Sequence, residues 1–168
     1  LQASRLDFDG QSLIPFDEKR FRTLRGKEIG MVFQDPMSAL NPSMRCGKQI
    51  EEVIALHSSL PKKDHQAHLH SLLEKVKLPD PKSMAKRYPH QLSGGQQQRV
   101  LIAMAIACQP KLLIADEPTT ALDPKVQENI MALLKSIQKE SKMSIVLISH
   151  DLNMVHRWAD QVLVLNKG

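Results

Sequence analysis

Residues Tyr88–Asp123 read YPHQLSGGQQQRVLIAMAIACQPKLLIADEPTTALD, and the fold turns on this stretch. Ser93-Gly94-Gly95 opens a long apolar run. Serine is a good N-cap, so the spacing predicts a helix from Gly94 to Cys108. The two glycines let backbone N–H groups converge at the helix start, where the dipole favours an anion. Leu112-Leu113-Ile114-Ala115 is continuously apolar rather than alternating, which is the pattern of a buried parallel strand. Asp116 and Glu117 then stand at its carboxyl end, where open α/β sheets hold their ligands. A phosphate-binding turn and a carboxylate pair on consecutive elements point to nucleotide chemistry.

Downstream, Asp123-Pro124 combines an N-cap with proline at the first helical position. It starts a predicted helix from Lys125 to about Glu140, with Val126, Ile130, Leu133, Leu134 and Ile137 on one stripe. Ser144–Ser149 reads as a second continuously apolar parallel strand, with His150 at its carboxyl end. A short helix from Leu152 to Ala159 and a last strand from Gln161 to Leu165 follow. Upstream, Ile29–Phe33 reads as a strand, and Gln34-Asp35-Pro36 ends it because proline disfavours helix in the residue before it. Leu6–Leu13 alternates around Asp9-Gly10, a strong hairpin signal. Pro15–Leu24 is a basic helical stretch. From Met44 to about Pro89, Ile50, Val53, Ile54, Leu69, Leu72, Leu73 and Val76 recur at helical spacing. The expected fold class is therefore α/β, a parallel sheet covered on both faces with a helical segment from about residue 44 to 108.

Composition narrows the function. The chain has 168 residues, enough for one domain with a substantial core. No apolar run approaches the ~20 residues of a membrane-spanning helix, and no charged-then-apolar leader opens the chain, so a signal peptide is not expected. The net charge of +5 comes from dispersed basic residues, and aromatics are only 4%, so nucleic acid is not an expected partner. Cys46 and Cys108 fall in different predicted elements and are expected as reduced, packed thiols. His65, His68 and His70 do not share one helical face, and no cysteine or carboxylate pair completes a metal site, so a solvated polar face is expected there.

Five motifs carry a resemblance. LSGGQQQR (Leu92–Arg99) is similar to the signature motif of ATP-binding-cassette (ABC) ATPases, and LLIADEP (Leu112–Pro118) resembles their Walker B strand with its catalytic glutamate. GMVFQDPMSALNP (Gly30–Pro42) resembles their Q-loop, in wording most like that of peptide and nickel importers. Ser149-His150-Asp151 matches their switch position, and Thr120-Ala121-Leu122-Asp123 their D-loop. The resemblance implies a P-loop NTPase-like sheet with an inserted helical subdomain. Its catalytic-core parts would be 1–36 and 109–168, with the helical subdomain and signature helix at 37–108. It implies ATP and Mg²⁺ as cofactors. Glu117 would be the catalytic base, with His150 and Gln34 completing the γ-phosphate shell. Asp116 and Gln34 would serve the metal. Ser93, Gly94, Gly95 and Gln96, with Asp123, would contact nucleotide at the boundary with a second ABC ATPase subunit, in a homo- or heterodimer. Membrane permease subunits would dock on the Q-loop and helical subdomain, placing the protein peripherally at the cytoplasmic face of the cell membrane.

A phosphate loop needs GxxxxGK[ST]. Gly26-Lys27 is preceded at the required spacing by Phe21 and followed by Glu28; Gly47-Lys48 has Pro42 and Gln49 at those places. Neither is such a loop. The resemblance places that loop upstream of residue 1, so the sequence is expected to represent the middle and later part of a nucleotide-binding domain. The resemblance implies the ATP-hydrolysing subunit of an ABC importer for oligopeptides, dipeptides or nickel, coupling ATP-driven dimer closure to transport. Two other functions are weighed: a soluble ABC ATPase acting on nucleic acid or ribosomes, and a non-catalytic remnant. A polypeptide of these 168 residues alone is expected to bind ATP weakly or not at all. Calorimetry giving micromolar affinity for Mg-ATP would overturn that expectation.

Overall fold

The computed structural model describes residues 5–15, 17–120 and 122–165. Its sheet has three parallel strands, β3 (Ile29–Val32), β4 (Leu112–Asp116) and β5 (Ser144–Ile148), in the order β3-β4-β5. Helix α6 (Gly94–Ala105) lies in the crossover before β4, and α7 (Pro124–Ser141) in the crossover between β4 and β5. Register aligns Val32 with Ala115, and Asp116 with Ile148. The carboxyl ends of all three strands therefore finish together, and the residues following them become neighbours.

The two predicted helices form for the reasons legible in sequence. Ser93 and Gln96 make a reciprocal capping box at the start of α6. The Asp123 side chain accepts from Val126 N at 3.0 Å and caps α7. The α7 stripe is buried through Ile130, Leu133, Leu134 and Ile137. Ahead of the sheet, β1 (Asp7–Phe8) and β2 (Gln11–Ser12) pair antiparallel around Asp9 (φ 49°) and Gly10 (φ 73°). That left-handed pair is what a two-residue hairpin turn requires. Lys111 Nζ holds the hairpin tip through Asp9 at 2.7 Å. The basic helix α1 (Glu18–Leu24) follows.

The predicted helical stretch resolves into α3 (Cys46–His57), α4 (His65–Lys75) and α5 (Pro81–Lys86), with 3-10 turns at Lys62–Asp64 and Pro89–Gln91, and a short helix not expected from the sequence, α2 (Pro36–Ala39), precedes it. Helix α6 packs against α3 and α4 as well as β3 and α7, so one apolar cluster runs from Ile50 and Leu73 through Ile102 to Leu113 and Ile130. Both thiols are free. Cys46 is buried, and desolvation pushes its pKa up to about 11.

Three expectations change. First, among the described residues only one sheet face is covered: Val32, Leu113 and Ala115 are buried, whereas Met31 is 40% and Val146 48% exposed on the other. Second, Gln161–Leu165 forms no strand. Its branched residues favour strand, but a strand exists only where a neighbour supplies ladder hydrogen bonds, and none does among the described residues. Third, His65 and His68 are not part of a solvated face. His65 is buried and its Nε2–H donates to Leu60 O at 3.0 Å; His68 Nε2–H donates to Ala107 O at 2.7 Å. A carbonyl can only accept, so each ring carries its proton on Nε2.

Candidate active site

Because β3 and β5 flank β4, Gln34 and His150 fall on either side of Glu117. The glutamate leaves β4 in a left-handed conformation, φ 43°, which a non-glycine residue adopts only when its surroundings hold it there. Its N–H donates to Ile148 O at 2.9 Å, extending the ladder by one bond. Its carbonyl accepts from Thr120 N at 3.2 Å, closing a four-residue turn with Pro118 at the second place.

Three side chains converge on the carboxylate. Oε2 accepts from Gln34 Nε2 at 2.9 Å and from Thr120 Oγ1 at 2.8 Å, while Oε1 lies 2.6 Å from His150 Nδ1. Of the sequence-derived catalytic residues, Glu117, His150 and Gln34 are thus brought together. The hydrogen bond from His150, then that from Thr120, holds the Glu117 carboxyl below the usual carboxylate range. The same bond and the carboxylate's charge raise the His150 imidazole above its ordinary value. The histidine's contribution is full below the ordinary histidine pKa and is lost as pH rises through the raised one. The glutamate's is full above the ordinary carboxylate pKa and is lost as pH falls through the depressed one. The pair is therefore intact across the window between them. The His150 side chain is 77% exposed, so its energetic weight is small. An NMR titration is expected to show its imidazole charging at higher pH than a free histidine, and Glu117→Gln to remove that displacement. An unshifted imidazole in the unsubstituted chain would count against the pair.

Asp116, half-buried, makes no side-chain hydrogen bond or ion pair among the described residues. Gln34 spends its amide nitrogen on Glu117, which leaves its carbonyl oxygen for another partner. A carboxylate and an amide oxygen are hard donors of the kind Mg²⁺ takes while keeping several waters, so these residues fit that ion.

The signature residues occupy a second place. Ser93 N donates to Gln96 Oε1 at 3.0 Å, and Gln96 N donates to Ser93 Oγ at 3.4 Å. The Gln96 side chain is thereby committed to the cap. A Cβ on Gly95 would stand 2.7 Å from Val126 Cγ1, and one on Gly94 would stand 3.3 Å from Leu122 Cδ2. Glycine at 95 is thus needed for α6 to meet α7, whatever else it does. Ser93 and Gly94 are exposed. Among the described residues no hydrogen bond or ion pair joins Ser93, Gly94, Gly95, Gln96 or Asp123 to the Glu117 cluster.

Sequence reasoning missed the role of Thr120. The available signal was its position three residues after Glu117 across a Pro118 turn, which puts a hydroxyl back over the residue that starts the turn.

The family model described as ABC transporter matches residues 2–120. The oligopeptide transport ATP-binding protein OppD of Bacillus subtilis (strain 168) is 50% identical over 161 residues, covering 96% of this chain and 45% of that protein. The dipeptide transport ATP-binding protein DppD of Escherichia coli (strain K12) is 49% identical over 168 residues, covering 100% and 51%. The chain spans about half the length of the curated relatives it matches. Among solved structures, a dimeric post-hydrolysis state of the ATP-binding cassette MJ0796 bound to ADP and Pi aligns with a TM-score of 0.73 at 33% identity, covering 87% of this chain and 62% of that one. The cbiO1 protein of Clostridium perfringens, part of the ABC transporter complex cbiONQ, aligns at 0.78 and 32%, covering 93% and 59%.

Proposed function

The chain belongs to the ABC transporter family, and from that premise we propose that it is the site-bearing part of the ATP-hydrolysing subunit of a peptide importer. The observation that carries the reading is the convergence of Gln34 and His150 on Glu117 at the carboxyl ends of three parallel strands. The names of the relatives near 50% identity, oligopeptide and dipeptide transport ATP-binding proteins, support peptides as the solute class.

In the proposed reaction a water oxygen bonds to the γ-phosphorus of ATP and the bond to the β–γ bridging oxygen breaks. The electron pair leaves with ADP, and the water's proton passes to Glu117. A carboxylate kept ionised by its donors suits that task, and phosphoryl transfer otherwise depends on positioning and charge stabilisation. His150 supplies a donor to the γ-phosphate. Gln34 spans from Glu117 toward the cation, with Asp116 as the carboxylate donor. Bound Mg²⁺ would neutralise charge on the phosphate oxygens.

The exposed start of α6, separate from the Glu117 cluster, fits a site shared between two subunits, in which Ser93, Gly94, Gly95, Gln96 and Asp123 serve the nucleotide of the partner. Closure of the two would then control turnover. Residues 1–36 and 109–168 make up the catalytic-core parts in this reading. Residues 37–108 make up the helical subdomain which, with the segment after Gln34, meets permease subunits. No described helix is long and apolar enough to cross a membrane, so attachment at the cytoplasmic face of the cell membrane would run through those permeases.

The test is purification of the complete protein from membranes with its peptide-importer permeases, followed by ATP hydrolysis assayed with and without peptide-loaded binding protein. Co-purification and stimulation by peptide are expected. Association with ribosomes and none with permeases would overturn the reading.

A further inference from the structure

Resting on that function, we infer that Thr120 is a positioning residue for the base: its hydroxyl holds one oxygen of Glu117 so that the other is presented for the proton. The grip is double. Thr120 N donates to the Glu117 carbonyl at 3.2 Å, and Thr120 Oγ1 donates to Glu117 Oε2 at 2.8 Å. Backbone and side chain of the base are therefore fixed by the same residue, across a turn whose second residue, Pro118, has a locked φ.

The turn itself is fastened to the two helices beside it. Thr119 is 1% exposed; its hydroxyl donates to Met154 Sδ at 3.6 Å, and its carbonyl accepts from Gln127 Nε2 at 3.1 Å. Gln127 belongs to α7 and Met154 to α8 (Leu152–Trp158). Helix α8 meets α7 through the exposed pair Arg157–Glu128 at 2.9 Å, and Lys135 of α7 pairs with Asp160, just beyond α8, at 3.0 Å. Thr120 thus follows directly on a buried residue that both helices hold.

The other two donors lack that footing. Gln34 and His150 are exposed, each on a segment following a different strand, and each has a second proposed partner in the nucleotide or its cation. Thr120 has no such second partner among those proposed, so its hydroxyl is the donor committed to the carboxylate alone. A base whose carboxylate swings free loses near-attack geometry, and displacements of about 1 Å cost on the order of 10²-fold in rate.

The test uses the complete ATPase with its partner subunit, and four variants measured for ATP affinity and single-turnover hydrolysis. Thr120→Val keeps the shape and removes the donor; it is expected to slow hydrolysis about 10- to 100-fold while ATP affinity stays within about threefold. Thr120→Ser restores the hydroxyl and is expected to recover the rate. Thr120→Ala, which cannot crowd the turn, gives the same readout should the valine variant fail to fold. Wild-type turnover in the valine or alanine variant overturns the inference, as does a serine variant no faster than they are. Glu117→Gln separates the two levels. If it hydrolyses ATP normally, Glu117 is not the base and this inference fails with that assignment, while the ATPase reading stands on its own test. If it is inactive while Thr120→Val is not, only the inference fails.

Discussion

Glu117→Gln is expected to lower single-turnover ATP hydrolysis by about 10²–10⁴-fold in the complete, dimeric enzyme while ATP binding persists, the span that positioned general bases contribute. The substitution keeps length and shape but cannot accept a proton. It also leaves one amide end donating where a carboxylate oxygen now accepts from Gln34 and Thr120, or from His150. Thr120 can rotate its hydroxyl, and a neutral imidazole can offer Nδ1 as an acceptor, so the cluster reorganises without an unpaired donor. The expected loss is therefore in chemistry, seen as a fall in kcat with little change in nucleotide affinity. Near-wild-type hydrolysis would place the base elsewhere, and His150 becomes the next candidate.

Gly30→Ala is expected to destabilise the fold by about 2–3 kcal/mol, toward the upper end for overpacking a close-packed site. A Cβ on Gly30 would enter the van der Waals envelope of the Ala105 carbonyl oxygen and lie 3.2 Å from Pro110 Cγ. Neither neighbour can rotate away, because one is backbone at the end of α6 and the other a proline ring. The conformational gain from replacing glycine in a strand, about 0.5–1 kcal/mol, acts in the opposite direction and is smaller. The displacement of α6 would carry to the strand end that presents Gln34. Urea unfolding measures it: at a typical slope of about 1–3 kcal/mol per molar, the midpoint should fall by about 1 M. An unchanged or higher midpoint would show that α6 lifts from β3 without cost.

What the sequence determined by itself was local. Continuous apolar runs bounded by caps and prolines identified β3, β4 and β5. Ser93 and Asp123 announced the starts of α6 and α7, and Asp9-Gly10 announced the hairpin. Each of these is settled by neighbours within a few residues in the chain, so periodicity and capping chemistry suffice to read them. The order β3-β4-β5 is not local, and it alone decides that Gln34, 83 residues before Glu117, and His150, 33 after it, share one carboxylate. The same holds for His65 and His68, whose polarity suggested a wet face until folding supplied the carbonyls of Leu60 and Ala107. Gly95 looked like a phosphate contact, and tertiary structure added Val126 against it. Gln161–Leu165 had the composition of a strand, but a strand depends on the hydrogen-bond partner beside it, and composition does not provide one. Sequence therefore specified which groups each element carries, while packing decided which of them meet, because hydrogen bonds between distant segments depend on strand order and register.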